Sequence, residues 1–543
     1  MAVAFILRII GIFYGFPLAL GSDESPTLLA GLKMLGTHSL VINATGYYYP
    51  PVLAYLYLPF LALAMLAGFL AGVFSNISEL KELVILNYHA FIPLARLFSV
   101  IMGTASVYLV YEIGRKLFNK RAGLIAASIL AVSLFHVGVS HFANTWATQT
   151  FFILLVLWWA VRFYKKTEIK TKDYLVGGFL IALAFGVNFV GIISYLWLLL
   201  VHYFKNRNQS LIKIFVENKN FWLATGILIL IIILFYFLNP FGLNNYFNRI
   251  TDTETEAVFG GEAVYNIFNQ TTLVTLWFYL KNVFILQPIL CLIFLFSALT
   301  LWKKEKALFW LLPAWCLMYL LLISPLSNPI NRYALPMIAI MAIMAGFWLS
   351  TYSRKKGIAL LLIIILIYNL CLSWLLVQRL TKNDTRQLTR NWIIKNIPDS
   401  TIIQNNNLNE SLGLTEDREN IKFIEENFPE MMSTKRRYLL NLPDERYPVP
   451  SYFLIMYNFQ NRSEIPTEPE YLIVSDYIKP EGDYPGYELV KNFYPENGSK
   501  AFGRNELLLP FSERSFSPWS LFHPLSNYGP YINIYKIDIN HDG

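Results

Sequence analysis

Apolar runs long enough to cross a bilayer recur along the first 380 residues and then stop. A transmembrane helix needs about 20 mostly apolar residues, because the hydrocarbon core is roughly 30 Å thick. The runs predict spans at 3–21, 95–113, 122–140, 148–164, 174–188, 189–204, 221–238, 283–302, 307–323, 334–350 and 358–378. This pattern predicts a polytopic α-helical membrane protein with about eleven transmembrane helices.

Short basic clusters separate these apolar runs and set the predicted orientation. They lie at 115–121, 165–172, 205–219, 303–306 and 354–356. Cytoplasmic loops are rich in Lys and Arg, so we expect all five clusters inside, each pair separated by an even number of crossings. The amino terminus is then cytoplasmic, and the residues after Arg379 are extracytoplasmic.

The apolar stretch 52–74 does not fit this count as a crossing, because it would move the first basic cluster outside. We therefore interpret it as a juxtamembrane helix in the outer leaflet. A true span, with one other span miscounted, stays open as the alternative.

The composition changes beyond Arg379, where Pro, Asn, Glu and Tyr occur throughout. Residues 384–397 have the pattern of an amphipathic helix, and 400–404, 471–475 and 531–537 have the pattern of short strands. We expect two domains: a transmembrane domain over 1–379 and a mixed α/β extracytoplasmic domain over 380–543. Within the first domain, the outer loops 21–94 and 239–282 are long, which is typical of functional loops.

The overall composition fits this architecture, since 55% of the residues are hydrophobic and only 15% are charged. Such a chain is expected to be a multi-pass protein of the cell membrane, with its first apolar run kept as an uncleaved anchor. The net charge of +8 comes from clusters between spans and does not indicate nucleic-acid binding. The three cysteines, Cys291, Cys316 and Cys371, lie in apolar runs and predict neither disulfides nor a metal site.

Asp23 and Glu24 stand side by side just beyond the first apolar run. A carboxylate pair at the outer mouth of a helix is costly to bury, so it either faces water or takes part in chemistry. The alternative is that the two residues only mark the helix end and keep it from sinking into lipid.

Five motifs along the chain carry a resemblance to a known family. They are 22–24 (Ser-Asp-Glu), 49–51 (Tyr-Pro-Pro), 95–99 (Ala-Arg-Leu-Phe-Ser) followed by 114–118 and 121–123, 331–336, and 384–386 followed by 391–393 and 396–398. In this order, the chain resembles the polyprenyl-phosphate-sugar-dependent glycosyltransferases of the GT-C fold. Within that fold, it resembles the branch around the dolichyl-phosphate-mannose protein mannosyltransferases and the lipid A aminoarabinose transferases.

The resemblance implies a GT-C-like enzyme that transfers a sugar, on the outer face, from a polyprenyl-phosphate carrier to a protein, lipid or glycan acceptor. The acceptor must lose a proton as it attacks, so a carboxylate opposite the phosphate can act as general base. Direct displacement of this kind inverts the anomeric centre. We assign Asp23 as the base and Glu24 as a positioning partner, and the reverse assignment stays open.

The leaving phosphate needs cations at the membrane surface, and Arg96 and Arg332 stand at the predicted outer starts of two spans. The planar guanidinium suits phosphate, and the resemblance places a carrier-phosphate arginine at Arg96. The alternative for each is an arginine that reaches lipid headgroups, which is common for interfacial arginines.

Three further residues are candidate substrate contacts: Tyr49 in the Tyr-Pro-Pro turn, His141 on a short outer loop, and Glu262 on the acidic loop 239–282. His141 is otherwise an ordinary loop residue, and the acidic loop is otherwise simply solvated. A divalent metal would need several carboxylate oxygens, so we expect a metal-independent enzyme without a cofactor.

Two positions depart from the family pattern. Trp146 stands where the family usually has a second aspartate, and Asn188 stands where related bacterial members often have lysine. These departures leave open a catalytically degenerate member that serves as a binding or assembly protein. A lipid-linked sugar transporter is a weaker alternative, because the spans show neither paired repeats nor many ionisable residues.

Overall fold

A computed structural model describes residues 1–18, 20, 23–42, 47–242, 270–325, 329–352, 356–406, 412–456, 469–479, 484, 486–496 and 518–537. The helices up to residue 206 are α1 (Ala2–Ile9), α2 (Glu24–Thr37), α3 (Val52–Leu70), α4 (Ile77–Asn87), α5 (Ile92–Leu117), α6 (Lys120–Val132), α7 (Leu134–Ser140), α8 (Thr145–Lys165), α9 (Thr171–Val187) and α10 (Tyr195–Asn206). They are followed by α11 (Lys219–Leu238), α12 (Gln270–Leu286), α13 (Pro288–Lys304), α14 (Lys306–Ile323), α15 (Leu335–Thr351) and α16 (Lys356–Leu380).

Eight helices in the described residues are long and apolar enough to cross a membrane, or ten if each of two bent pairs is one span. This confirms a polytopic helical membrane protein. The predicted helix over 3–21 is wrong as a continuous span, because α1 ends at Ile9. Gly11 and Gly15 then adopt positive φ angles of 88° and 70°, which a helix does not contain. The predicted span 174–188 is the 17-residue helix α9, which is shorter than the counted spans.

The two bent pairs are α6 with α7, at 58°, and α12 with α13, at 110°. Pro288 begins α13 and lacks the N–H that would continue α12 into it. The predicted span 283–302 therefore crosses a sharp break. Gln287 at this break donates from its Nε2 to Asn369 Oδ1 of α16 at 2.9 Å, so the polar side chain is satisfied inside the apolar bundle.

Helix α3 covers most of the stretch interpreted as juxtamembrane. Its length and composition also fit a crossing, so both assignments made from the sequence stay predictions. Apolar residues fix α2, α3 and α5 against one another, and they form a cluster that includes Leu28, Leu32, Leu53, Tyr57 and Phe98. The first long loop is thus packed on the bundle.

Helix α15 is buried along most of its length, with α5, α6, α8 and α13 around it. Small residues allow the close approach. A Cβ on Gly346 would meet the Ala122 carbonyl oxygen at 2.3 Å, and one on Gly114 would meet Gly123 Cα at 2.9 Å. Close contact through small residues is typical of membrane helices, where van der Waals packing holds the bundle together.

After residue 380 the chain forms α17 (Thr385–Asn396), α18 (Arg418–Asn427) and α19 (Thr434–Leu440). Its strands are β1 (Ile402–Asn405), β2 (Phe453–Met456), β3 (Tyr471–Asp476), β4 (Tyr487–Phe493) and β5 (Tyr531–Ile537). They form one five-stranded sheet in the order β2-β1-β3-β5-β4. β1 runs parallel to β2 and β3, whereas β5 runs antiparallel to β3 and β4.

This α/β region confirms the mixed fold predicted for the C-terminal part, with α17, β1, β3 and β5 at the expected places. Asp384 caps α17, accepting a hydrogen bond from Arg386 N at 2.9 Å, while Gln387 Oε1 accepts from Asp384 N at 3.0 Å. This reciprocal capping box satisfies two backbone donors at the helix start. The boundary at 379 and the side of the membrane stay predictions.

Candidate active site

Glu24, the first residue of α2, forms a buried ion pair with Arg96 of α5. The Glu24 and Arg96 side chains are 0% and 1% exposed. Arg96 Nε donates to Glu24 Oε1 and Arg96 Nη2 donates to Oε2, both at 2.7 Å. The backbone N–H of Ala143 also donates to Glu24 Oε1, at 2.9 Å. This two-pronged, hydrogen-bonded geometry is the arrangement in which a buried carboxylate is best compensated.

Arg96 is also bound to the segment that follows α1. Its Nη1 donates to the Ile12 carbonyl at 2.9 Å and to the Tyr14 carbonyl at 2.5 Å. The guanidinium also faces the Phe142 ring, 5.8 Å from its centroid. Arg96 therefore joins α2, α5 and the segment after α1 beneath the surface. Its predicted contact with a carrier phosphate stays a prediction.

Asp23 has a different environment, although it immediately precedes Glu24 in the chain. It lies at the N-cap of α2 with φ 62° and ψ 15°, in the left-handed region. Non-glycine residues seldom occupy that region, and residues that do are concentrated at functional sites. Its side chain is 40% exposed and is paired with Arg332, which is 5% exposed. The left-handed turn thus directs Asp23 outward while Glu24 points into the bundle.

Arg332 lies in a short 3₁₀ helix, Asn331–Ala334, that leads into α15. The next residue, Tyr333, stacks on Trp146 of α8 with ring centroids 4.6 Å apart and an interplanar angle of 28°. Tyr319 of α14 donates from its hydroxyl to the Tyr333 carbonyl at 2.8 Å. Trp146 therefore packs against the segment that holds Arg332. It stands at the position where the resemblance expects an aspartate.

Tyr49 lies near the exposed pair. Burial and the negative charge of Asp23 raise the pKa of Tyr49, so its hydroxyl stays protonated and can donate a hydrogen bond. Its backbone carbonyl accepts from Asn239 Nδ2 at 2.7 Å, which ties the first long loop to the end of α11. Its predicted substrate contact stays a prediction.

His141 lies where α7 meets the segment after α1. Its side chain is buried, with Nδ1 2.8 Å from the Val137 carbonyl and Nε2 2.9 Å from the Ile10 carbonyl. Both ring nitrogens thus contact the backbone, and the ring connects α7 to the segment after α1. Glu262 lies outside the described residues, as do the other acids of its loop, Asp252, Glu254 and Glu256.

Two amides near this site were not predicted as site residues from the sequence. Asn331 precedes Arg332 and is 2% exposed, and Gln149 lies one turn after Trp146 on α8 and is 0% exposed. Within the described residues, neither side-chain amide has a hydrogen-bond partner. Buried amides of this kind usually need a partner, so both are candidate ligand contacts. The sequence feature that could have indicated Gln149 is its position as a single glutamine in the apolar run after Trp146.

The other departure, Asn188, lies at the break between α9 and a 3₁₀ turn, Phe189–Ser194. Its Nδ2 donates to Thr145 Oγ1 at the start of α8, at 3.2 Å. In the described part of the chain, no three His, Cys, Asp or Glu side chains are grouped as metal ligands. Metal independence stays a prediction.

Residues 92–237 match the family model described as dolichyl-phosphate-mannose-protein mannosyltransferase. The matched segment runs from the start of α5 to the end of α11 and includes Arg96, His141, Trp146 and Asn188. No individually curated protein matches the chain at a significant level. The family match confirms, over these residues, the resemblance drawn from the motifs.

Several solved structures are similar at low identity. ArnT from Cupriavidus metallidurans bound to undecaprenyl phosphate is 13% identical with a TM-score of 0.48, over 87% of this chain and 92% of that one. The oligosaccharyltransferase AglB from Archaeoglobus fulgidus, in complex with an inhibitory peptide and a dolichol-phosphate, is 14% identical with a TM-score of 0.45, over 87% and 69%. The arabinofuranosyltransferase AftD from Mycobacteria is 14% identical with a TM-score of 0.44, over 100% and 42%.

The fold and the match together define an integral membrane protein of many helices with a C-terminal α/β region. Its segment 92–237 is similar to the dolichyl-phosphate-mannose-protein mannosyltransferases.

Proposed function

We propose that the protein is a membrane glycosyltransferase that transfers a sugar from a polyprenyl-phosphate carrier to an acceptor on the outer face. The observation that carries the proposal is the pairing of exposed Asp23 with buried Arg332, directly beside the fixed Glu24–Arg96 pair. The family match over α5–α11 supports a polyprenyl-phosphate hexose as the donor. A mannosyl donor is the first to test.

In the proposed reaction, Asp23 accepts the proton of an acceptor hydroxyl or amine as that group attacks the anomeric carbon. The new bond forms on the face opposite the phosphate, and the bond from the anomeric carbon to the phosphate oxygen breaks. The electron pair leaves with the polyprenyl phosphate, so the anomeric configuration inverts. Asp23 suits the base role because it is the more exposed of the two adjacent acids.

In the proposed cycle, Arg332 has two successive roles. Before reaction it compensates the charge of Asp23, and during reaction its planar fork can bind the phosphate that leaves. For Arg96, the buried pair supports positioning of Glu24 more directly than contact with the carrier phosphate. The two arginines therefore take different parts in the proposed reaction.

Lysine substitutions separate these two parts. Lysine keeps the charge and loses the fork, so Arg332→Lys should weaken binding of polyprenyl phosphate by about 10-fold, the weight of one charged hydrogen bond. Arg96→Lys should lower thermal stability and leave carrier affinity less affected. Binding to purified protein in nanodiscs measures the first effect and a melting curve measures the second. The reverse pattern would indicate that Arg96, and not Arg332, binds the carrier phosphate.

A binding or assembly protein without catalysis is the second candidate, and the observation that favours it is Trp146 at the expected aspartate position. Both candidates bind a polyprenyl phosphate, but only an enzyme consumes the charged carrier. Purified wild-type protein in nanodiscs should release polyprenyl phosphate from a lipid-linked sugar when an acceptor is present. Carrier binding without release, across hexosyl and pentosyl donors, would favour the second candidate.

A further inference from the structure

We infer that Tyr14 and Asp384 are positioning residues, through which the C-terminal α/β region holds the acidic pair of α2 in its working geometry. The inference rests on the proposed function for its kinetic consequence. The contacts that carry it form one continuous path from the sheet region to Glu24.

The path begins at a buried ionic cluster at the start of α17. The Asp384 carboxylate is 0% exposed and accepts from Arg386 Nε at 2.8 Å and from Arg386 Nη2 at 2.9 Å. The Tyr14 hydroxyl donates to Asp384 Oδ2 at 2.7 Å. A hydrogen bond to a buried carboxylate is stronger than one between neutral groups, so this contact holds the Tyr14 side chain against the start of α17.

The Tyr14 ring is also enclosed from both sides. It packs edge-on against Phe142 of the membrane domain at 6.4 Å and against Tyr528 of the C-terminal region at 5.7 Å. Tyr528 is bound to the start of α17, since its carbonyl accepts from Thr385 N at 2.7 Å. The ring therefore fills the junction between the two parts of the chain.

The backbone of Tyr14 continues the path. The carbonyl oxygens of Ile12 and Tyr14 both accept from Arg96 Nη1, and the same guanidinium holds Glu24 by two further hydrogen bonds. Asp23 immediately precedes Glu24, and its backbone is in the left-handed region. A displacement of Tyr14 would thus be passed to Arg96 and then to the acids.

The segment 10–18, directly after α1, depends on such contacts for its shape. Instead of a regular helix it forms successive tight turns, with Tyr14 N donating to the Gly11 carbonyl at 2.9 Å and Leu18 N to the Gly15 carbonyl at 2.7 Å. A second contact from α17 supports it, because Gln387 Nε2 donates to the Phe16 carbonyl. The C-terminal region thereby fixes a segment that lacks a helical hydrogen-bond ladder of its own.

Tyr14→Phe tests the path because it removes one hydroxyl and keeps the enclosed ring. We expect kcat to fall by about 10-fold, the weight of one hydrogen bond to a charged group, with KM for the donor nearly unchanged. Asp384→Asn should lower kcat at least as much, because it also removes the carboxylate charge that compensates buried Arg386. The double variant should have a kcat close to that of Asp384→Asn, because the Tyr14 hydroxyl then has no carboxylate left to bind.

Tyr452→Phe is the matched control. Tyr452 is a buried tyrosine of the C-terminal region whose hydroxyl lies 3.3 Å from the Ile393 carbonyl and 3.4 Å from the Ile397 carbonyl. We expect wild-type kcat from this variant. If Tyr14→Phe and Tyr452→Phe have the same kcat, or if the Tyr14 and Asp384 effects simply add, the inference is wrong.

Hydrogen–deuterium exchange of peptides that cover α2 gives a readout independent of turnover. Tyr14→Phe should speed exchange at the start of α2, and Tyr452→Phe should leave it as in the wild type. Faster exchange in a protein that consumes no lipid-linked sugar would refute the proposed function and support the path. Unchanged exchange in an active enzyme would refute the path alone.

Discussion

At the scale of residues, Asp23 and Glu24 show how one backbone turn divides two adjacent carboxylates. Glu24 is enclosed with Arg96, whereas Asp23 is 40% exposed beside Arg332. The sequence identified all four residues as candidates. It could not pair them, because the partners lie 72 and 309 positions apart and only tertiary packing brings them together.

Glu24→Gln should strongly destabilise the protein. The change removes the only carboxylate that contacts Arg96 in the described structure and leaves a buried positive charge uncompensated. Breaking a buried ion pair from one side typically costs about 3–5 kcal/mol. Thermal unfolding in detergent measures the effect.

Glu112→Gln is the matched control for that change. Glu112 pairs with Arg115 on α5, and the Arg115 side chain is 43% exposed, so solvent compensates the loss. A similar fall in melting temperature for both variants would show that the burial of the Glu24–Arg96 pair contributes nothing special.

At the scale of elements, turns and helix breaks position the site residues more than the apolar helices do. The amphipathic helix and three strands of the C-terminal region were predictable from their periodicity. β2 was missed because its four residues give a weak alternation signal, and β4 because it is mostly exposed. The break after Ile9 was missed because hydropathy averages over Gly11 and Gly15.

Gly11→Ala should therefore destabilise the protein. Gly11 has φ 88°, and a Cβ there would meet Leu380 Cβ at 2.8 Å, so alanine adds backbone strain and a clash. Gly36→Ala, inside α2 with open space around it, should be neutral or stabilising because alanine favours helix. Comparison of the two melting temperatures checks this. Equal stability would argue against the turn at Gly11.

At the scale of the whole molecule, side-chain contacts bring the C-terminal region against the first outer loop and its neighbouring segment. Arg446 pairs with Glu82 of α4, and Asp384 accepts from Tyr14. The loop that holds Asp23 and the region after Arg379 therefore lie together. The sequence predicted this common side from its basic clusters, but a charge pattern carries no information on which surfaces touch.

Cysteine labelling tests this arrangement across the membrane. In a background without native cysteines, Ser39→Cys and Ser400→Cys should both react with an impermeant maleimide from outside intact cells. Lys116→Cys, in a predicted cytoplasmic cluster, should react only after permeabilisation. Labelling of positions 39 and 400 from opposite faces would overturn the orientation and the proposed site together.

The most direct test of the central claim is the turnover of Asp23→Asn. Asparagine keeps the size of the side chain and removes the base, and general-base contributions are typically about 10²–10⁴-fold in rate. We predict that purified Asp23→Asn protein binds the lipid-linked sugar but releases polyprenyl phosphate slower by a factor in that range. Release at the wild-type rate would contradict the role of Asp23 and with it the proposed mechanism.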